Sequence, residues 1–191
     1  MISGNDSEQR ADFQLMARVA DGEEDAFSDL YHRFSPSLFG MALRILNDAK
    51  EAEDALQEGF ISMWRRASSF DAERSSPFAW AVMIVRHKAI DKLRIRHRSE
   101  KLSERLQEEI GEAEPDKQEP ATDLVFSDRR KHLQSALQRI PSEQRQAVEL
   151  AFFRGMTHEE ISQQLEVPLG TIKARIRRGL IRLRSFIREG L

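Results

Sequence analysis

The sequence predicts an all-α protein of two helical domains joined by a flexible acidic linker. Three observations predict it. Strand signals are nearly absent, with no Asn-Gly or Asp-Gly hairpin between alternating runs and little period-two patterning. Glycine is sparse, at 9 of 191 residues, and helix formers dominate. Apolar residues recur at intervals of three and four in several separate stretches, as one face of a helix requires.

Taken in order, residues 12–20 form a short first helix. Residues 26–46 are amphipathic, with Phe27, Leu30, Phe34, Leu38, Leu43 and Leu46 inward, and Pro36 predicts a break or bend near Ser35. Asp48 caps the next helix, with Glu51 three residues on as its capping-box partner. That helix runs to about residue 67. It turns Ala52, Leu56, Phe60 and Met63 inward and shows Glu53, Asp54, Gln57, Glu58 and Ile61 on another face. A loop, 68–76, holds Phe70. Ser76 before Pro77 is the signature of an N-cap followed by proline in the first turn. The helix from Pro77 reaches about residue 97. Its first half is apolar and aromatic. Its second half carries Arg86, Lys88, Lys92, Arg94, Arg96 and Arg98 against the single acid Asp91.

The character changes over residues 99–123, which are acidic, contain Pro115 and Pro120, and hold few large apolar side chains. Such a segment is a tether, not a core element. Domain bounds of 10–98 and 124–191 follow. In the second domain, Leu133, Leu137 and Ile140 line a helix that stops before Pro141. Ser142 caps another, which Gly155 ends as the C′ residue. Thr157 and Glu160 form a capping box at the head of a short helix, and residues 166–169 make a tight connector.

The last helix, GTIKARIRRGLIRLRSFIR, has two faces. Ile172, Ile176, Leu180, Leu183 and Ile187 make an apolar stripe. The remainder is cationic, with no acid from Gly170 to Arg188. A net charge of −2 gives no overall case for a polyanion partner, but segregated charge does. A capped short helix, a tight turn and a basic second helix make a helix-turn-helix, whose second helix can enter a DNA major groove. Arginine and lysine there can bond guanine, small side chains can touch the thymine methyl, and other cations hold phosphates.

Other classes are excluded. The chain has no cysteine, so it has neither a disulfide framework nor a thiolate metal site. His158-Glu159-Glu160 lacks the second histidine of a zinc-protease motif, because Ser162 occupies that position. No phosphate-binding loop and no nucleophile elbow occur. These features argue against an enzyme and against any cofactor. The N-terminus lacks the pattern of a signal peptide, and the longest apolar run, 78–85, is too short to span a bilayer. A soluble cytoplasmic protein without membrane insertion is expected.

Two longer stretches narrow the reading. EAEDALQEGFISMWRR, followed by FDAERSSPFAWAVMIVRHKAIDKLRIRHR, resembles region 2 of bacterial sigma factors of the extracytoplasmic-function (group IV) class. LQRIPSEQRQAVELAFFRGMTHEEISQQLEVPLGTIKARIRRGLIRL resembles their region 4. The resemblance implies a sigma factor that binds core RNA polymerase through the β′ clamp coiled coil and the β flap. It implies recognition of promoter DNA at −10 and −35 elements, melting of the former, and control by a dedicated anti-sigma factor. Asp54, Gln57, Glu58 and Ile61 match the family's polymerase-docking face. Phe70, Asp71, Ser75, Ser76, Trp80, Arg86, His87 and Arg94 match the −10 loop and the helix beside it. Thr171, Lys173, Ala174, Arg175, Arg177 and Arg178 match the −35 recognition helix. His87 stands where the family commonly has Asn. Ser162 and Gly179 stand where alanine is usual, and Gly179 predicts a more pliant helix at a cost of roughly 1 kcal/mol. The alternative reading is a helix-turn-helix repressor or response regulator, which would need a sensing domain ahead of the DNA-binding one.

Overall fold

The computed structural model describes residues 4–108 and 138–189. The tether beyond 108 and the predicted helix with Leu133 and Leu137 lie outside them. Among the described residues there are helices and no strand: α1 (Gly4–Ala20), α2 (Glu24–Leu46), α3 (Ala49–Arg66), a 3-10 turn (Ala67–Ser69), α4 (Pro77–Glu108), α5 (Ser142–Phe153), α6 (His158–Leu165) and α7 (Leu169–Glu189).

Helices α1 to α4 enclose one core, in which Met16, Leu30, Phe34, Leu38, Leu46, Met63 and Val85 are fully or almost fully buried. Helix α1 starts earlier than the sequence pattern predicts. It docks on α2 through Met16 and Val19 and through an ion pair between buried Asp12 and Arg33. A carboxylate taken out of water needs such a partner.

Pro36 does not break α2, which is one helix with the proline inside it. The neighbouring Phe34 and Leu38 are both fully buried, and their packing outweighs the hydrogen bond that proline removes. Asn47, in the left-handed region at φ 52°, closes α2. Asp48 then caps α3 as expected, accepting from the Glu51 amide at 2.8 Å. The reciprocal half of that box is replaced, because the Glu51 carboxylate is taken at 2.8 Å by Arg96 of α4. Arg96 also donates to the Leu46 carbonyl at 2.9 Å, tying the α2–α3 corner to α4. Ser76 caps α4 through the Ala79 amide at 3.3 Å. Helix α4 runs past its expected end near residue 97 to Glu108.

In the C-terminal half, α5, α6 and α7 pack around Ala147, Val148, Ile161 and Ile172. Pro141, not Ser142, is the cap of α5 and contributes no side-chain bond; Ser142 already has helical backbone. Gly155 lies at φ 63°, as a C′ glycine should. The Thr157–Glu160 box is complete, with the Thr157 amide 2.7 Å from the Glu160 carboxylate and the Glu160 amide 3.2 Å from the Thr157 hydroxyl. Ser162 donates to the Val167 carbonyl at 2.6 Å. An alanine could not make that bond, so Ser162 fastens the turn between α6 and α7.

The inward stripe of α7 differs from its sequence reading. Ile172 is fully buried and Ile176 half-buried, but Leu180 is exposed. Gly179 takes the inward place instead. A Cβ there would lie 2.9 Å from Val148 Cγ2 and 3.4 Å from Gln144 Cβ. The glycine therefore lies close against α5, and it is a packing contact, not a soft point.

Candidate nucleic-acid and polymerase interfaces

Three surfaces carry the residues singled out in the sequence. The first is on α3. Asp54, Gln57, Glu58 and Ile61 fall on one face, since residues three and four apart share a helix side, and all four are exposed. Its carboxylates already have partners. Lys92 Nζ of α4 is 2.9 Å from Glu58 and 3.9 Å from Asp54, and Lys88 Nζ is 3.4 Å from Glu58. The hydrogen bond from Lys92 lowers the Glu58 pKa below its ordinary value, against a smaller opposing effect of burial. Both acids remain about half exposed, so these pairs are weak and exchangeable.

The second surface is the loop after α3 with the first turns of α4. Asp71 accepts from the Glu73 amide at 2.9 Å, which shapes the loop, and Asp71 is itself exposed. Phe70, half-buried, lies 5.4 Å from the Trp80 ring on one side and 6.3 Å from the Phe13 ring on the other. Ser75 and Ser76 are half-buried beside them, and His87 is exposed. Phe13 of α1 escaped the sequence reading. Nothing in the local pattern of α1 marks a residue that will meet a loop 57 positions later.

The basic half of α4 does not form one surface. Lys88, Lys92 and Arg96 turn toward the acids of α3. Arg86 and Arg94 turn toward the C-terminal half, where they donate to backbone carbonyls at the end of α5 and at Gly155. Burial, with the Arg94 charge nearby, pushes the Arg86 pKa below the usual arginine value.

The third surface is the outward side of α7. With Ile172 buried, helical geometry turns Thr171, Lys173, Ala174, Arg177 and Arg178 to the other side. All are exposed except half-buried Ala174. Arg175 is set apart from them. Its Nη2 lies 2.8 Å from Glu143 of α5, and its side chain is only 21% exposed. Glu143 is another residue that no pattern in its own segment marks. The side chains of Arg184 and Arg188 lie outside the described residues. Among the described residues, no group of three or more His, Asp or Glu is placed to hold a metal ion, and no helix is long and apolar enough to cross a membrane.

A Sigma-70 region 2 model matches residues 30–99, and a Sigma-70 region 4 model matches residues 130–183. The chain is 34% identical over 173 residues to the ECF RNA polymerase sigma factor SigK of Mycobacterium ulcerans (strain Agy99), with 90% of each covered. It is 32% identical over 176 residues to SigK of Mycobacterium tuberculosis (strain ATCC 25177 / H37Ra), again with 90% of each covered. Among solved structures it is similar to Rhodobacter sphaeroides SigE in complex with the anti-sigma ChrR, at 30% identity and a TM-score of 0.49, covering 93% of this chain and 98% of that one. Both region models match in the order that the two helical halves follow, and a relative at 34% identity spans nine-tenths of both chains; this protein belongs to the extracytoplasmic-function sigma factors of the sigma-70 family.

Proposed function

We propose that this sigma factor divides its work among the three surfaces. Residues 10–98 bind core RNA polymerase and the −10 element, 124–191 bind the −35 element and the β flap, and 99–123 tether the two. The observation that carries the reading is the side-chain sorting on α7. A buried Ile172 and a braced α6 leave Lys173, Arg177 and Arg178 free to face outward.

Duplex DNA meets that face. Arg178 and Lys173, near the helix start, reach base edges, and Arg177 holds phosphate. Arg175, paired with Glu143, orients α7 on α5. The second surface takes single-stranded DNA. Extruding a base costs a few kcal/mol, repaid by stacking on aromatic rings and by hydrogen bonds to its edge. Phe70 and Trp80, with Ser75, Ser76 and Asp71 around them, are suited to that task. Asp54, Gln57, Glu58 and Ile61 dock on the β′ clamp coiled coil, whose cations replace Lys92 and Lys88 at the carboxylates. The protein acts in the cytoplasm and is held inactive by an anti-sigma factor. A response regulator is disfavoured, since its receiver domain needs a sheet and the described N-terminal residues are helical.

The test is transcription of genomic DNA by core polymerase with and without the purified chain. Promoter-specific initiation that depends on the chain is the expected result. The absence of any specific start would refute the reading.

A further inference from the structure

Helix α7 meets α5 along one line of residues. Arg175 Nη2 lies 2.8 Å from the Glu143 carboxylate. One turn on, Gly179 packs so closely that a Cβ there would be 2.9 Å from Val148 Cγ2. Further along, Arg182 Nη1 donates to the Gln144 side-chain carbonyl at 3.0 Å. Spacings of four and three place these residues on one side of α7.

The two arginines on that line have different partners. Gln144 offers Arg182 a neutral amide oxygen, so that guanidinium keeps its full charge, and Arg182 is exposed. Glu143 offers Arg175 a carboxylate, and the pair carries no net charge. Glu143 lies in the first turn of α5, where the helix dipole favours an acid with or without Arg175. Arg175 follows the buried Ile172 by three residues. It also follows exposed Thr171 by four and precedes exposed Arg178 by three. It therefore stands on the border between the packed side of α7 and the outward side. Turned one way its long side chain meets Glu143; turned the other it would join Lys173, Arg177 and Arg178.

We propose that Glu143 sets the strength of the DNA hold made by α7, by neutralising Arg175 so that one phosphate fewer is engaged. That hold presupposes the −35 role given above to α7. The pair is a surface one and weak in water. Exchanging Glu143 for a phosphate, however, would leave the carboxylate unpaired beside a second anion, so DNA gains little by taking Arg175. Phosphate contacts carry no sequence information. Glu143 therefore governs affinity and salt dependence, whereas Lys173 and Arg178 govern preference.

Glu143→Gln keeps the side-chain shape and removes the charge. The full-length parent, Glu143→Gln, Arg175→Ala and the double variant, each shown to be folded by circular dichroism, are titrated with a pool of short duplexes randomised over the −35 positions, at a series of salt concentrations. Glu143→Gln should bind the pool about three- to tenfold more tightly at low salt. Its plot of log K against log salt should be steeper by about 0.9, the value for one added phosphate contact on duplex DNA. The ranking of bound sequences should match the parent's. Arg175→Ala and the double variant should both keep the parent slope. A merely structural role for the pair would instead weaken binding in Glu143→Gln and Arg175→Ala alike. The parent slope in Glu143→Gln would overturn the proposal. A gain that survives in the double variant would trace it to direct repulsion of phosphate by Glu143 and overturn the part given to Arg175. A flatter slope in Arg175→Ala would overturn it too, by showing that Arg175 already engages phosphate. A parent chain that binds no duplex would refute the −35 reading and this proposal with it, whereas the other outcomes leave that reading standing.

Discussion

Gly179→Ala sets helix propensity against packing, and the structure decides the sign. Propensity alone favours alanine in mid-helix by about 0.8–1.0 kcal/mol. The added methyl, however, would sit 2.9 Å from Val148 Cγ2 and 3.4 Å from both Cβ and the carbonyl of Gln144. Val148 is almost fully buried and, being β-branched, cannot rotate away without strain. Overpacking of this kind costs about 1–3 kcal/mol. The difference is a net destabilisation of about 1 kcal/mol, with α7 pushed off α5. Gly170→Ala is the control, since a Cβ there meets nothing within 4 Å. It should be neutral or stabilising by a few tenths of a kcal/mol. Both tryptophans, Trp64 and Trp80, are in the N-terminal half, so their fluorescence does not report on this unit. Amide hydrogen exchange across α5–α7 does, because it reads local opening free energies. The packing argument is refuted if Gly179→Ala slows exchange as much as Gly170→Ala or more.

Three further outcomes are expected. Arg178→Ala should relax −35 selectivity by about 1–3 kcal/mol, whereas Arg175→Ala should cost under about 1 kcal/mol of stability and leave base preference unchanged; binding to a library of −35 duplexes separates them, and equal loss of preference in both would refute the sorting on α7. Asp54→Arg should weaken core polymerase binding by about 2 kcal/mol or more while the fold survives, since Asp54 is exposed; a titration showing the parent affinity removes Asp54 from the docking face. Glu58, whose folded pKa is depressed, contributes stability that is present above its ordinary value of 4.5 and is lost as pH falls through the lower folded value. Its half exposure keeps this contribution small. Urea midpoints measured against pH should therefore drop less on acidification in Glu58→Gln than in the parent, and parallel curves would contradict the Lys92 pairing.

Local chemistry was well written in the sequence. Asp48, Ser76 and the Thr157–Glu160 pair cap the helices that follow them, because a cap needs only residues three positions apart. Gly155 ends α5 because only a residue tolerant of positive φ fits there. The exposed face of α3 follows from helical period alone. Where the sequence misled, the deciding partner lay elsewhere in the fold. Pro36 reads as a break or bend, yet α2 continues through it as one helix, with Phe34 and Leu38 beside it fully buried.

What the sequence determined by itself is the fold class, the helix-turn-helix and the family, since these depend on period, capping and motif order. The tertiary structure decided how charge and space are allotted between helices. The cations of α4 look alike in the sequence, but their heading around the helix sends Lys88, Lys92 and Arg96 to the acids of α3, and Arg86 and Arg94 to the end of α5. Arg175 is as cationic as Arg178, yet it pairs with Glu143 of α5, whereas Arg178 is exposed. Gly179 reads as a weak point until Val148 is seen against it. A hydrogen bond or a steric contact between residues dozens of positions apart leaves no periodic trace in either segment, so only the packed chain could reveal which arginines are exposed and which pair with distant residues.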